Sequence, residues 1–130
     1  MNSIFLKEYG FKKWHKLTHI KEERVNVSES SGVYILRLNR KFKRLQGESD
    51  ILYIGCTGNL RERIVENHIN GRGGKTTKRI HKYLFAKGYA ESVEVSWILL
   101  DDVSKDAREK MLLEEYKEQH HELPPWNRSG

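Results

Sequence analysis

Two short segments set a tyrosine beside a glycine: Gly32-Val33-Tyr34 and Tyr53-Ile54-Gly55. Paired as a hairpin, they would bring two phenolic hydroxyls near one point, although aromatic pairs across strands also serve packing alone. Gly55 leaves room for a ligand or the next helix to approach the backbone. Behind it come Arg61 and Arg63, then Asn67 and His68. An arginine offers a planar fork of donors suited to a phosphate; Arg61 reads equally well as a solvated side chain. Arg63 and Asn67, four apart, share a helical face. Further on, Lys75, Lys78, Arg79 and Lys82 follow the i, i+3, i+4, i+7 rhythm of one face. With Arg72 and a Gly-rich loop in front, this stripe suits a phosphate backbone. It also suits a merely solubilising face. Glu109 heads an apolar series, Leu112, Leu113 and Tyr116, at the same spacing. A carboxylate there either meets a cation or a partner, or, with Asp106 as N-cap, is the third residue of a capping-box variant.

The elements that must hold these residues can be placed from pattern. Residues 3–20 mix aromatics and lysines and read as a helical or irregular lead-in. Gly32 to Leu38 is an apolar, β-branched strand, and Ile51 to Gly55 the returning one. The basic segment Asn39 to Asp50 reads as a long connection between them. Thr57-Gly58-Asn59 supplies turn and N-cap chemistry for a helix to about Asn70. A second helix, capped by Thr76 or Thr77, docks Ile80, Tyr83 and Leu84 and ends at Gly88. Val93, Val95, Trp97 and Leu99 mark a third strand. A last helix runs from about Ser104 to His120, and Pro124-Pro125 prevents its continuation. The order β-β-α-α-β-α predicts an α+β domain: a small three-stranded antiparallel sheet flanked by helices. The expected organisation is a lead-in over 1–31 packed on a domain over 32–130.

Composition bounds the chemistry. The chain has 130 residues, enough for one core, and 24 Lys+Arg against 18 Asp+Glu, a net charge of +6. Residues 1–100 carry 19 basic and 10 acidic side chains, whereas Asp101 to Glu122 carries 8 acidic and 4 basic. A polyanionic partner fits the basic part. The single cysteine, Cys56, excludes an internal disulfide and a Cys-rich zinc site. No apolar run approaches the roughly 20 residues of a membrane helix, and the N-terminus breaks its apolar residues with charge too early for a signal peptide. A cytoplasmic location with no membrane partner is expected.

Taken in order, Gly32-Val33-Tyr34, the run from Tyr53 to Arg63, the stretch from Glu109 to Tyr116 and Pro125-Trp126-Asn127 resemble the GIY-YIG nuclease domain. The resemblance implies a DNA phosphodiester as substrate. It implies that Tyr34 and Tyr53 are the motif tyrosines, Arg63 the essential arginine, Glu109 the metal-binding glutamate and Asn127 the closing asparagine. His68 matches a histidine that some branches place one turn after the arginine. The chain departs from the pattern in four places. The connection between the tyrosine motifs is long, adding Lys41, Lys43 and Arg44. The stretch from Tyr116 to Asn127 is long too, so Glu114 and Glu115 rival Glu109. His68 stands five rather than four residues after Arg63, and Cys56 replaces a lysine found in some branches.

The chemistry expected is Mg²⁺-dependent endonuclease action, with Mn²⁺ as a substitute. Glu109 holds one cation with water and phosphate oxygens, and Arg63 donates to the phosphate as charge develops. Tyr34, with an unperturbed phenol pKa near 10, is brought down by the cation and Arg63 to act as the base. Tyr53 orients water or phosphate, and His68 is the alternative base or phosphate donor. Arg61, Arg72, Lys75, Lys78, Arg79 and Lys82 are the expected DNA contacts. A monomer or a transient dimer is expected. The alternatives are a non-catalytic nucleic-acid-binding module working through the basic stripe, and an RNA-binding α+β domain for which only charge speaks.

Overall fold

The computed structural model describes residues 1–128. Four strands form one antiparallel sheet in the order β1-β4-β2-β3: β1 His15–Lys16, β2 Gly32–Lys43, β3 Glu48–Thr57 and β4 Val93–Leu99. The class is α+β, as the pattern predicts, with one strand more than expected. That strand comes from the lead-in, where His15 and Lys16 pair with Val95 and Glu94 and the His15 ring stacks on Trp97. The connection expected over Asn39 to Asp50 is also mostly strand. Phe42 pairs with Ser49 and Lys43 with Glu48, and the chain reverses through a tight turn at Gly47, whose φ of 72° favours glycine. The lysines and arginines there stand on a solvated ribbon, which hides its alternation from a reading based on hydrophobicity.

One irregularity matters for the site. Leu36 pairs with Tyr53 but Arg37 pairs with Ile51, so Leu52 is an extra residue on β3. This bulge turns both Leu52 and Tyr53 into the same apolar cluster instead of opposite ones.

The sheet separates two cores. One holds Tyr34, Leu36 and Tyr53 under α2 (Leu17–Lys21) and the helices that follow β3. The other holds Val33, Ile35, Ile51 and Ile54 under α1 (Ser3–Leu6) and the last helix, which contributes Leu112 and Tyr116. Residues 1–31 feed both, through Leu6 and Phe11 on one side and Leu17, Ile20 and Val27 on the other.

The helix after β3 is capped by Asn59, whose Oδ1 accepts the Glu62 N–H, and its first amides donate to the carbonyls of Ser28 and Ser30. From Glu62 to Ile69 (α3) it is wound as a π-helix. The next helix, α4, starts at Lys75 from Gly74 rather than from a threonine cap, and runs to His81 before widening into a π-turn over Lys82–Ala86. The Thr77 hydroxyl donates to the Gly74 carbonyl instead. The last helix, α5, spans Asp102–His120, with Asp101 as its N-cap accepting from Val103 and Ser104. Asp106 is therefore inside the helix. The capping-box account of Glu109 falls with it.

Candidate active site

Tyr34 and Gly55 face each other across the β2–β3 pair. A Cβ on Gly55 would lie 2.6 Å from the Tyr53 ring and 2.9 Å from the Tyr34 hydroxyl. The missing side chain is what lets the two phenols close together, with ring centroids 5.9 Å apart. From α3 the His68 ring completes the group, 5.5 Å from Tyr34 and 6.1 Å from Tyr53, and its Nε2 makes a 2.6 Å hydrogen bond with the Tyr34 hydroxyl.

The winding of α3 explains how His68 gets there. In an α-helix five residues leave His68 roughly 140° around the axis from Arg63. At the π-helix's roughly 4.4 residues per turn the offset shrinks to about 50°. The spacing that departs from the family pattern is thus absorbed by the backbone. Arg63 itself is half-buried, and its Nε donates to Asn67 Oδ1 at 3.3 Å.

Burial controls the protonation states. It holds the fully covered Tyr34 hydroxyl well above the ordinary phenol range; Tyr53 adds to the rise, and Arg63 opposes it without cancelling it. The expected lowering of Tyr34 is thus reversed in the free protein, because desolvation outweighs one nearby cation. Tyr53 is also raised by burial, opposed by the neighbouring Tyr34 hydroxyl and by the charges of Arg63 and Arg79, and reinforced by Glu109. Burial and then Arg63 push the His68 imidazole down to about 3, so it is neutral at physiological pH. Its Nδ1 has no hydrogen-bond partner among the described residues; the Thr77 backbone lies near and acts in the opposite sense.

Glu109 is half-buried and enters no ion pair among the described residues. It is close enough to Tyr53 to raise that phenol, and it contributes, after burial, to the Cys56 thiol being pushed up to about 12. Its rivals lie elsewhere: Glu114 is exposed, and Glu115 accepts from Gln119 and faces the amino group of Met1. Asn127 uses both polar atoms on one backbone unit. Its Oδ1 accepts the Ile54 N–H at 3.0 Å and its Nδ2 donates to the Ile54 carbonyl at 2.9 Å. With the Trp126 N–H donating to the Leu52 carbonyl, this segment caps the free edge of β3 at the bulge that aims Tyr53.

The expected nucleic-acid contacts do not form one face. Lys75, Lys78 and Lys82 are exposed and unpaired among the described residues. Arg72 is exposed but paired with Glu66 at 2.9 Å. Arg61 lines a separate cleft with Lys21 and Arg24 of the lead-in. Arg79 leaves the stripe: it is half-buried, donates to the Trp126 carbonyl and lowers the Tyr53 phenol. Its nearness to the tyrosines has no signal in helical spacing, because the strand edge formed by Trp126 is what draws it inward.

The site thus sets two buried tyrosines against a histidine, with an arginine on the next helix and an unpaired carboxylate close by, on one antiparallel sheet of an α+β domain. The family model for the GIY-YIG catalytic domain matches residues 30–122, and the chain belongs to that family. The domain implies a nucleic-acid substrate. Asn127 lies beyond the matched residues. No curated protein and no solved structure gives a match. No helix among the described residues is long and apolar enough to cross a membrane.

Proposed function

We propose that this chain is a Mg²⁺-dependent DNA endonuclease whose catalytic residues are Tyr34, Tyr53, Arg63, His68 and Glu109. The observation that carries the reading is the buried hydrogen bond between the Tyr34 hydroxyl and a neutral His68 beside the Arg63 guanidinium. A neutral imidazole can accept the proton that a phenol gives up, so Tyr34 need not hold a phenolate charge in a buried site.

The donor set suits a hard, mostly hydrated cation. The described residues contain no cluster of three or more acidic, histidine or cysteine ligands, and Glu109 is one unpaired carboxylate beside the tyrosines. Mg²⁺ is commonly held by one or two carboxylates while keeping several waters. Glu109 would hold it, and the ion would supply charge neutralisation at the phosphate oxygens.

The chain's own residues do the rest. Arg63 donates from its guanidinium to the phosphate as negative charge accumulates. Arrival of that phosphate offsets the Arg63 charge that depresses His68, raising the imidazole's basicity when it is needed. Tyr34 then accepts a proton from the attacking water while passing its own to His68 Nε2. The water oxygen bonds to phosphorus as the bond to the leaving sugar oxygen breaks, and that oxygen takes up a proton from solvent. Tyr34 has no exposed surface, so the proton transfer requires substrate to move Tyr53 aside and admit water to the Tyr34 hydroxyl while its hydrogen bond with His68 is kept. Tyr53, adjoining Tyr34 and influenced by both Arg63 and Glu109, orients water or phosphate. Asn127 acts as a positioning residue, through the β3 edge. Lys75, Lys78 and Lys82 supply phosphate contacts away from the centre.

Incubating supercoiled plasmid with the protein in Mg²⁺ or EDTA tests this. Nicking should need the metal, and Tyr34→Phe should slow it by about 10² or more while leaving DNA binding intact. Glu109→Gln should abolish it and Glu115→Gln should not. Nicking in EDTA, full activity of Tyr34→Phe, or loss in Glu115→Gln with retention in Glu109→Gln would overturn the assignments. DNA binding without nicking in either condition would leave a binding module only.

A further inference from the structure

The long β2–β3 ribbon and the long segment before Asn127 meet in a groove beside the tyrosine site. Its volume is about 270 Å³, and its walls include Leu38, Arg40, Phe42, Arg44, Tyr89 and Trp126. The floor is aromatic and fixed. The Trp126 ring packs against Tyr83 at 5.3 Å and edge-on against Tyr89 at 5.8 Å, and its backbone is tied to Leu52 and Arg79. The rim is cationic. Arg44 sits over the Phe42 ring at 5.6 Å, held by the Leu123 carbonyl and Glu122, while Arg40 is exposed and unpaired among the described residues. Tyr89 is 38% exposed, so one aromatic ring is open to solvent. The groove adjoins the site along the chain: Leu52, one of its walls, precedes Tyr53 in the bulge, and Trp126 precedes Asn127.

We propose that this groove binds a single-stranded stretch of nucleic acid next to the scissile phosphate, so that the enzyme prefers tailed or branched DNA to continuous duplex. Aromatic rings with cationic neighbours accept unpaired bases of any sequence by stacking, while the cations follow the phosphates. Bases inside a duplex are already stacked and present no free face to Tyr89. Among the described residues the charged side chains lining the groove are both arginines, and although Arg44 engages Glu122 nearby, Arg40 leaves the lining positive. The proposal rests on the nuclease reading for its biological sense, but its binding claim stands separately.

The test uses the full chain carrying Tyr34→Phe, so that binding is read without cleavage. Fluorescence anisotropy compares a labelled blunt duplex with the same duplex bearing a short single-stranded tail. The tail should tighten binding. Tyr89→Ala should remove roughly five- to a hundredfold of that gain, and Tyr89→Phe should keep it. Arg40→Ala should weaken tail binding and flatten its salt dependence. A tail that gives no advantage, or an advantage that survives Tyr89→Ala, overturns the proposal and leaves the groove to a protein partner or a second copy. If the wild-type protein cuts no DNA with Mg²⁺ yet still prefers tails, the nuclease reading fails and the groove stands. If it nicks plasmid but ignores tails, the reverse holds.

Discussion

Replacing His68 by glutamine isolates the electrostatics of the buried centre. In the fold the imidazole is pushed down to about 3, whereas an unfolded histidine titrates near 6.5. Between those values the unfolded chain binds a proton that the folded chain refuses, so stability falls as pH falls. By pH 7.5 the unfolded histidine is also almost wholly deprotonated and the group has little effect. Each pH unit below 6.5 then costs about 1.4 kcal/mol. At pH 4.5 the accumulated loss is about 2.5 kcal/mol, a sum that hardly changes if the folded value lies a unit higher.

Urea unfolding of the wild-type protein and of His68→Gln at pH 7.5 and 4.5 measures this directly. Glutamine keeps an acceptor for the Tyr34 hydroxyl but cannot titrate. Every other carboxylate and histidine contributes equally to both proteins, so the difference between the two pH-dependent losses belongs to His68. The wild-type protein should lose about 2.5 kcal/mol more than the variant over this range. Parallel losses would mean that His68 is solvated or charged in the fold. The relay from Tyr34 to a buried imidazole would then lose its basis.

Two further substitutions address the framework. Gly55→Ala forces a methyl to within 2.6 Å of the Tyr53 ring and 2.9 Å of the Tyr34 hydroxyl; it should cost about 1–3 kcal/mol in urea unfolding and depress plasmid nicking far more than that loss of fold explains. Asn127→Ala removes both hydrogen bonds to Ile54; it should cost about 1–3 kcal/mol, speed amide exchange at Ile54 and lower kcat with little change in KM.

The sequence makes the central pairing visible because Val33 to Leu36 and Ile51 to Gly55 are continuously apolar, and such a run reads as buried strand. It also exposes Glu109, since a carboxylate at the head of an apolar stripe contradicts its surroundings. The outer half of the hairpin is hidden, because Arg40, Lys41, Lys43 and Glu48 belong to a ribbon with no continuous apolar face to report. The role of Asn127 is hidden for another reason. Its side chain imitates a neighbouring strand by pairing with one residue, Ile54, a contact 73 residues away in sequence.

The Arg63–His68 spacing shows why motif distance and spatial distance differ. Counted on an α-helix, five residues separate the two side chains onto different faces and argue against a shared site. The π-winding over Glu62–Ile69 reverses that inference. Such a helix forms hydrogen bonds of poorer inherent stability and occurs mostly as single turns, often at functional sites. Here it runs for eight residues, held at its start by Asn59 and the Ser28 and Ser30 carbonyls and along its length by Ile64 and Ile69 in the core. Restoring α-winding would leave the Tyr34 hydroxyl buried without its partner, a desolvation loss of about 1–3 kcal/mol. The Tyr34–His68 bond therefore helps stabilise the unusual helix, and the helix in turn delivers the imidazole that the phenol needs.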